Sequence, residues 1–206
     1  MKDGDFVNID YVGKIKESGE VFDLTDEQLA KENNIYNPHT KYGPITVILG
    51  AGYILKGLEE VIKKINMKQV SEVDLKPEDA FGLRDPRLVK MFNINYFRNQ
   101  KVTPIQGQFI DFGGTRGRVL SVASGRVRID FNHPLAGKAL SYSVTVNGQV
   151  TDVKEQMAAI VTYYTAIDKD VELKVDEKNV DIILPSASNV SLEIKKKMAD
   201  EIVKYV

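Results

Sequence analysis

The chain has 206 residues, 43% hydrophobic and 28% charged, with a formal net charge of −1; this is enough apolar material for one or two packed domains and excludes a disordered tail. Zero cysteines exclude a disulfide framework, thiolate zinc sites and cysteine nucleophiles, and with only two histidines no metal site is expected. The opening MKDGDFVNID lacks the apolar run of a signal peptide, and no stretch approaches the roughly 18 apolar residues of a membrane span, so the expectation is a cytoplasmic protein without a membrane partner.

In FVNIDYV, Val7, Ile9 and Tyr11 alternate with Asn8 and Asp10, the period of a half-buried strand. A turn at Ser18 and Gly19 leads into a second strand over Glu20 to Leu24. Asp26 to Gly43 is polar and turn-rich apart from a helix-like DEQLAKEN, and reads as a loop insertion. ITVILG reads as a strand, and Leu55, Leu58, Val61, Ile62 and Ile65 recur at helical spacing in ILKGLEEVIKKI. VSEVDL supplies another strand, and LSYSVTV places Leu140, Tyr142, Val144 and Val146 on one face with Ser and Thr on the other. These segments predict an α+β fold, a mostly antiparallel sheet wrapped on a single helix.

All seven arginines fall between Arg84 and Arg128, and no glutamate occurs between Glu78 and Glu155. From Arg84 to Asn132 nine cationic side chains face three aspartates, a local excess of +6 within a chain of net charge −1. Residues 84–132 are therefore read as a domain inserted into a host made of 1–83 and 133–152. Inside it QFIDF, GRVLSV and GRVRIDF are short strands separated by glycines, a small, mainly β unit. Just before them Leu88, Val89, Met91, Phe92, Ile94, Tyr96 and Phe97 crowd more apolar surface into one segment than so small a unit easily covers.

Residues 153–206 read as an additional α+β domain: a helical EQMAAIVTYYTAI, strands around VELKV and VDIILP, and a final helix. In that helix Val190, Ile194, Met198 and Ile202 recur every four residues, so one face needs a partner, either its own domain or a second copy of the chain. The chain stops at Val206 without a capping residue, the expectation being a truncated domain or one completed by another chain.

No phosphate-binding, dinucleotide, HExxH or GxSxG pattern is present, which removes nucleotide and common hydrolase readings. His39 and His133 stand in polar loops and read as structural. Arginines near Phe and Tyr are what single-stranded RNA recognition uses. Arg116, Arg118, Arg126 and Arg128 are equally the solvated face of a strand pair, the commoner outcome, and nucleic acid is the disfavoured partner.

Three host segments in order, IDYVGKIKESGEVFD, LGAGYILKGLEEVI and VDLKPEDAFG, followed by LSYSVTV, resemble the FKBP peptidyl-prolyl isomerases: an opening hairpin with Phe-Asp after the turn, a loop and helix, a strand end leading into a flap, and the closing strand. The insert is similar to that of the SlyD-like branch, whose insert-in-flap domain is a chaperone, and the additional C-terminal domain resembles that of archaeal long-type members. The resemblance implies rotation about Xaa-Pro bonds without covalent intermediate or cofactor. It implies a catalytic cleft of Tyr11, Phe22, Asp23, Ile54, Leu55, Leu58, Phe81 and Tyr142, with the Ile54 amide orienting a substrate carbonyl and Asp23 and Tyr11 setting polarity near the twisted bond. Leu58 stands where many relatives have Trp and Phe81 where Tyr is common, implying a more open cleft and poor grip on macrolide inhibitors. Leu88, Val89, Met91, Phe92, Tyr96 and Phe97 would contact unfolded or nascent polypeptide. The competing readings are a holdase with an inactive cleft and an RNA- or ribosome-binding module.

Overall fold

A computed structural model describes residues 1–167, 171–175, 180–185 and 189–206. The chain divides into two compact units, Met1–Asp74 with Ser141–Val206, and Leu75–Leu140.

The first unit is built on a five-stranded sheet in the order β2-β1-β9-β4, with β3 also paired to β1. Its strands are β1 (Phe6–Ile15), β2 (Val21–Leu24), β3 (Ile45–Ile48), β4 (Val70–Leu75) and β9 (Leu140–Gln149). Strand β1 is long enough to serve two antiparallel partners in succession: Phe6 to Ile9 pair with β3, and Val12 to Lys14 with β2. The alternation expected of β1 and β9 is realised, with Val7, Ile9, Tyr142, Val144 and Val146 buried and the polar residues between them partly exposed. On the polar face Asn147 donates to Asn8 and Asp10, and Thr25 to Asp10, so the carboxylate there is hydrogen-bonded within the sheet.

Helix α1 (Glu27–Glu32) lies in the expected loop insertion and starts at Asp26, whose side chain accepts from the Leu29 amide. The next helix, α2 (Lys56–Ile62), is shorter than the Ile54–Ile65 periodicity suggests. Leu55 offers no capping oxygen at its start, and beyond Ile62 the amides of Lys64 and Ile65 both turn back to the Val61 carbonyl, tightening and ending the helix. Leu58 and Ile62 are the apolar residues it buries.

The C-terminal segment supplies α4 (Val153–Thr165), the two-stranded β10 (Glu172–Val175) and β11 (Val180–Ile183), and α5 (Leu192–Tyr205). Asp152 and Ser191 cap the two helices through their side chains. The four-residue apolar recurrence of α5 packs within its own unit. Met198 and Ile202 join Met157, Ile160 and Val161 of α4 in one core with Phe6 of β1 and Ile48 of β3, and Val190 and Ile194 pack against it.

The second unit carries a four-stranded antiparallel sheet in the order β5-β8-β7-β6. Its strands are β5 (Val89–Asn93), β6 (Phe109–Asp111), β7 (Arg116–Ala123) and β8 (Arg126–Asp130), with α3 (Ile94–Asn99) following β5. Phe97, Val119, Val127 and Ile129 form its core, flanked by Phe92, Phe112 and Phe131. Gly117 is required for that packing, because a Cβ there would overlap Ile129 Cγ2 and crowd the Phe131 ring. At the ends of the basic segment the chain is clipped to itself. Asp85 and Asn132 exchange two hydrogen bonds of 2.8 and 2.9 Å, and Arg84 pairs with the buried Asp130.

Candidate active site

Strand β1 presents Tyr11 and Gly13 on one face, two residues apart, and β9 brings up Tyr142, which is only 4% exposed. Strand β2 is bulged against them: Gly13 pairs with Asp23, but the next pairing is Lys14 with Val21, so Phe22 is the extra residue. An uninterrupted strand would send Phe22 and Asp23 to opposite faces; the bulge re-aims one of them and both meet the same group. The Phe22 ring lies edge-on to Tyr142, centroids 5.8 Å apart, and Tyr142 is tilted against Tyr11 at 6.1 Å. The Tyr11 hydroxyl donates to Asp23 Oδ2 at 2.8 Å, while Asp23 Oδ1 accepts from the Leu24 amide. Asp23 is therefore solvent-accessible at the edge of the aromatic group, not a carboxylate turned into the core.

The electrostatics follow from this placement. Burial pushes the Tyr11 phenol well above its ordinary value, and the Asp23 carboxylate adds to the shift by charge and by hydrogen bond. Tyr142 is raised in the same sense, by burial first and then by Asp23. Both phenols stay protonated across the physiological range, so the group offers apolar ring faces, two neutral hydroxyls and one carboxylate at its rim.

Ile54 and Leu55 are half-buried in the turn entering α2, and Leu58 is buried in its first turn. Among the described residues the Ile54 amide donates to no protein acceptor. Phe81 belongs to the other unit, where it stacks on His133 with centroids 4.2 Å apart. The arrangement thus brings together Tyr11, Phe22, Asp23 and Tyr142, places Ile54, Leu55 and Leu58 on a turn and helix of the same unit, and assigns Phe81 elsewhere.

Two residues of this region escape a reading by type and spacing. Gly13 has the Phe22 and Tyr142 rings pressed against it: a Cβ would meet Phe22 Cζ at 2.8 Å and Tyr142 Cε1 at 2.9 Å. A glycine interrupting an alternating strand is the signal that marks it. Tyr53 has no such signal, because its hydroxyl partner, Glu201, is 148 residues away. On the opposite, polar face of the sheet a cleft of about 730 Å³ is lined by Asp10, Thr25, Asp26, Tyr42, Ser143 and Thr145 among others.

In the insert, the six apolar residues expected to contact polypeptide do not form one surface. Pairing of Phe92 with Val127 and of Met91 with Arg128 puts them on opposite faces of the sheet. Phe97, 1% exposed, is core, where its role is packing rather than contact with a client. Phe92 and Val89 are half-buried, while Leu88, Met91 and Tyr96 are exposed. Ile105, Phe109 and Val122 are exposed apolar residues of the same unit that the crowded segment does not include. Phe92, Tyr96, Phe112 and Phe131 form a continuous aromatic group, with neighbouring centroids 5.1 to 5.4 Å apart.

Comparison with known proteins identifies the family. Residues 1–95 match the family described as FKBP-type peptidyl-prolyl cis-trans isomerase, and residues 90–135 match the one described as FKBP26, IF domain. The chain is 36% identical over 146 residues to the short-type peptidyl-prolyl cis-trans isomerase of Methanocaldococcus jannaschii, covering 71% of this chain and 92% of that one. It is 27% identical over 138 residues to the FKBP-type peptidyl-prolyl cis-trans isomerase SlyD of Helicobacter pylori, 66% of this chain and 68% of the relative. A probable FKBP-type 16 kDa peptidyl-prolyl cis-trans isomerase of Pseudomonas fluorescens is 31% identical over 116 residues, 54% of this chain and 73% of the relative. With an aromatic group on the antiparallel sheet, an insert of matching kind and relatives matched over most of their length, the chain belongs to the FKBP-type peptidyl-prolyl cis-trans isomerases and is an enzyme of that activity.

Proposed function

We propose that the isomerase site is the group of Tyr11, Phe22, Asp23 and Tyr142 together with Ile54, Leu55 and Leu58, and that the insert, with its core in 84–132, captures unfolded polypeptide for it. Rotation about a prolyl amide faces a barrier of about 18–20 kcal/mol because resonance must be broken. The barrier falls when the amide carbonyl is withdrawn from water, since hydration stabilises the planar, charge-separated form more than the twisted one. Phe22 and Tyr142 supply the dry surface for the proline ring. The Ile54 amide, which has no protein acceptor among the described residues, is available to orient a substrate carbonyl other than that of the rotating amide. Tyr11, held by Asp23, places a neutral hydroxyl and a fixed carboxylate beside the twisting bond. No bond is made or broken in this scheme.

The observation that carries this reading is the meeting of Phe22 and Asp23 with Tyr142 and Tyr11 across the bulge. It is tested by cis/trans exchange of an Xaa-Pro tetrapeptide beside proline-limited refolding of a protein. Phe22→Ala should abolish acceleration of both. Tyr96→Ser with Ile105→Ser should leave the peptide reaction intact and slow only protein refolding, since tethering a client raises its local concentration at the cleft. Loss of peptide exchange in the insert variant would overturn the division of labour. Full isomerase activity in Phe22→Ala would overturn the site.

A second reading rests on the arginines. Arg116, Arg118, Arg126 and Arg128 are all exposed, alternate with buried Gly117, Val127 and Ile129, and make no ion pair among the described residues. They favour acidic stretches of a client, and the RNA-binding alternative is separated by salt: binding of a single-stranded RNA should fall steeply with ionic strength if it is specific to this face. The expected outcome is capture of unfolded protein with little RNA binding at physiological salt. The recurrent apolar face of α5 packs within its own unit, which favours unfolded clients over a second copy as partners.

A further inference from the structure

The turn between β3 and α2 is pinned from two directions. The Gly52 amide donates to Glu59 Oε1 at 3.3 Å, from the buried side chain in the first turn of α2. The next residue is held by the C-terminal helices. The Tyr53 hydroxyl donates to Glu201 Oε2 of α5 at 2.7 Å, and its ring stacks on Tyr163 of α4 with centroids 3.6 Å apart and planes 12° from parallel. Ala51 and Tyr53 also pack against the α4–α5 core. Burial raises the Tyr53 phenol far above its ordinary value, with Glu201 contributing next, and the same two causes push Tyr164 up to about 12. Tyr53 is thus fixed at both ring and hydroxyl, and the amide that follows it in the chain is that of Ile54.

We propose that Glu201 and Tyr163 are positioning residues of the isomerase, acting through Tyr53 to hold the Ile54 amide where the substrate carbonyl must be met. This rests on the assignment of Ile54 to the site. A torsion about the 53–54 linkage swings the Ile54 N–H directly, and an error of about 1 Å in a positioned group can cost about a hundredfold in rate. The C-terminal helices lie outside the cleft residues, yet they clamp the residue that precedes the Ile54 backbone donor. The proline-binding rings, Phe22 and Tyr142, sit on other strands and do not depend on the clamp. The effect therefore belongs in kcat more than in KM.

The test uses the full chain with Glu201→Ala, Glu201→Gln and Tyr53→Phe, which removes only a hydroxyl and keeps the stacked ring. Line-shape analysis of Xaa-Pro tetrapeptide exchange gives kcat and KM separately, and the backbone amide resonance of Ile54 is followed with and without peptide. Glu201→Ala and Tyr53→Phe should each lower kcat about tenfold with KM changed less than twofold. The double variant should be no worse than either alone, and Glu201→Gln, which keeps an acceptor, should recover most of the rate. The Ile54 amide should shift on peptide binding in the parent and shift less in the two damaging variants. Unchanged kcat in Tyr53→Phe and Glu201→Ala, with only a lowered melting temperature, would reduce the clamp to a structural brace and overturn the proposal. An Ile54 amide indifferent to peptide in the parent would instead overturn the site assignment beneath it, which separates the two failures.

Discussion

Gly13 and Phe22 are in contact that only a missing side chain permits: a Cβ on residue 13 would lie 2.8 Å from Phe22 Cζ. The backbone at Gly13 does not lie in the left-handed region, so its glycine is required by the neighbouring rings and not by its torsions. Gly13→Ala should leave the strand paired but pry Phe22 from Tyr142. The expected result is a fall of about tenfold in kcat/KM for an Xaa-Pro tetrapeptide, equivalent to about 1.4 kcal/mol, with a rise in KM and a folded circular dichroism spectrum.

Tyr11 and Asp23 act as a unit through their 2.8 Å hydrogen bond. Tyr11→Phe and Asp23→Asn should each lower kcat/KM about three- to tenfold, and the double variant should fall short of the product of the two losses. Because Asp23 is exposed, its substitution should change stability by only about 0.5 kcal/mol or less, measured by denaturant unfolding. Additive losses would show that the two side chains work independently.

The buried phenols make stability depend on alkaline pH. Tyr11, Tyr53 and Tyr142 all hold their protons more tightly in the folded chain than free tyrosine does. Their contribution is complete below the ordinary tyrosine value of about 10 and is lost as pH rises above it toward the folded values. Unfolding free energy should therefore fall steeply above about pH 10, and tyrosinate absorbance should show a subset of phenols that ionise only on unfolding. Tyr53→Phe should make the alkaline slope shallower; an unchanged slope would mean that Tyr53 titrates freely.

Phe97 and Tyr96 are adjacent in sequence and should answer differently to truncation. Phe97→Ala removes a ring from the centre of the insert core and should cost about 3–5 kcal/mol, melting the insert. Tyr96→Ala removes an exposed ring and should cost about 1 kcal/mol or less while weakening suppression of aggregation of an unfolded client. Equal loss of stability in both would place Tyr96 in the core.

The insert's closure is a separable device. Asp130, buried and paired with Arg84, also accepts from Asn132, which is itself bonded to Asp85. Asp130→Ala leaves the Arg84 guanidinium without its partner and removes an acceptor of Asn132, a loss of about 2–4 kcal/mol confined to the insert. Hydrogen exchange should speed in β5 to β8 and remain unchanged in β1, β3 and β9; uniform acceleration would show that the two units unfold together.

Much of the site was legible in the residues themselves. Tyr11 and Tyr142 stand at alternating positions that must share a buried face, and Phe22 and Asp23 follow a turn that returns the chain alongside them. Strand period, turn residues and helical spacing are local properties, so they survive in a linear reading; the four-residue recurrence in the last helix predicted its buried face correctly. What local period does not contain is a bulge, since one extra residue in a pairing depends on the partner strand. Hence only the folded chain shows that Phe22 and Asp23 converge. Nor does it contain the identity of what covers a face: the crowded apolar segment of the insert is divided by its sheet into core Phe97 and exposed Met91. The face of α5 is likewise closed in part by Phe6 and Ile48, which precede Met198 by 192 and 150 positions. Sequence alone determined the strands and helices of the host and the apolar faces of β1, β9 and α5, while β5 and α3 in the crowded segment of the insert emerged only in the fold. Tertiary structure decided which faces met, because burial and hydrogen bonding across long separations are settled by packing and not by periodicity.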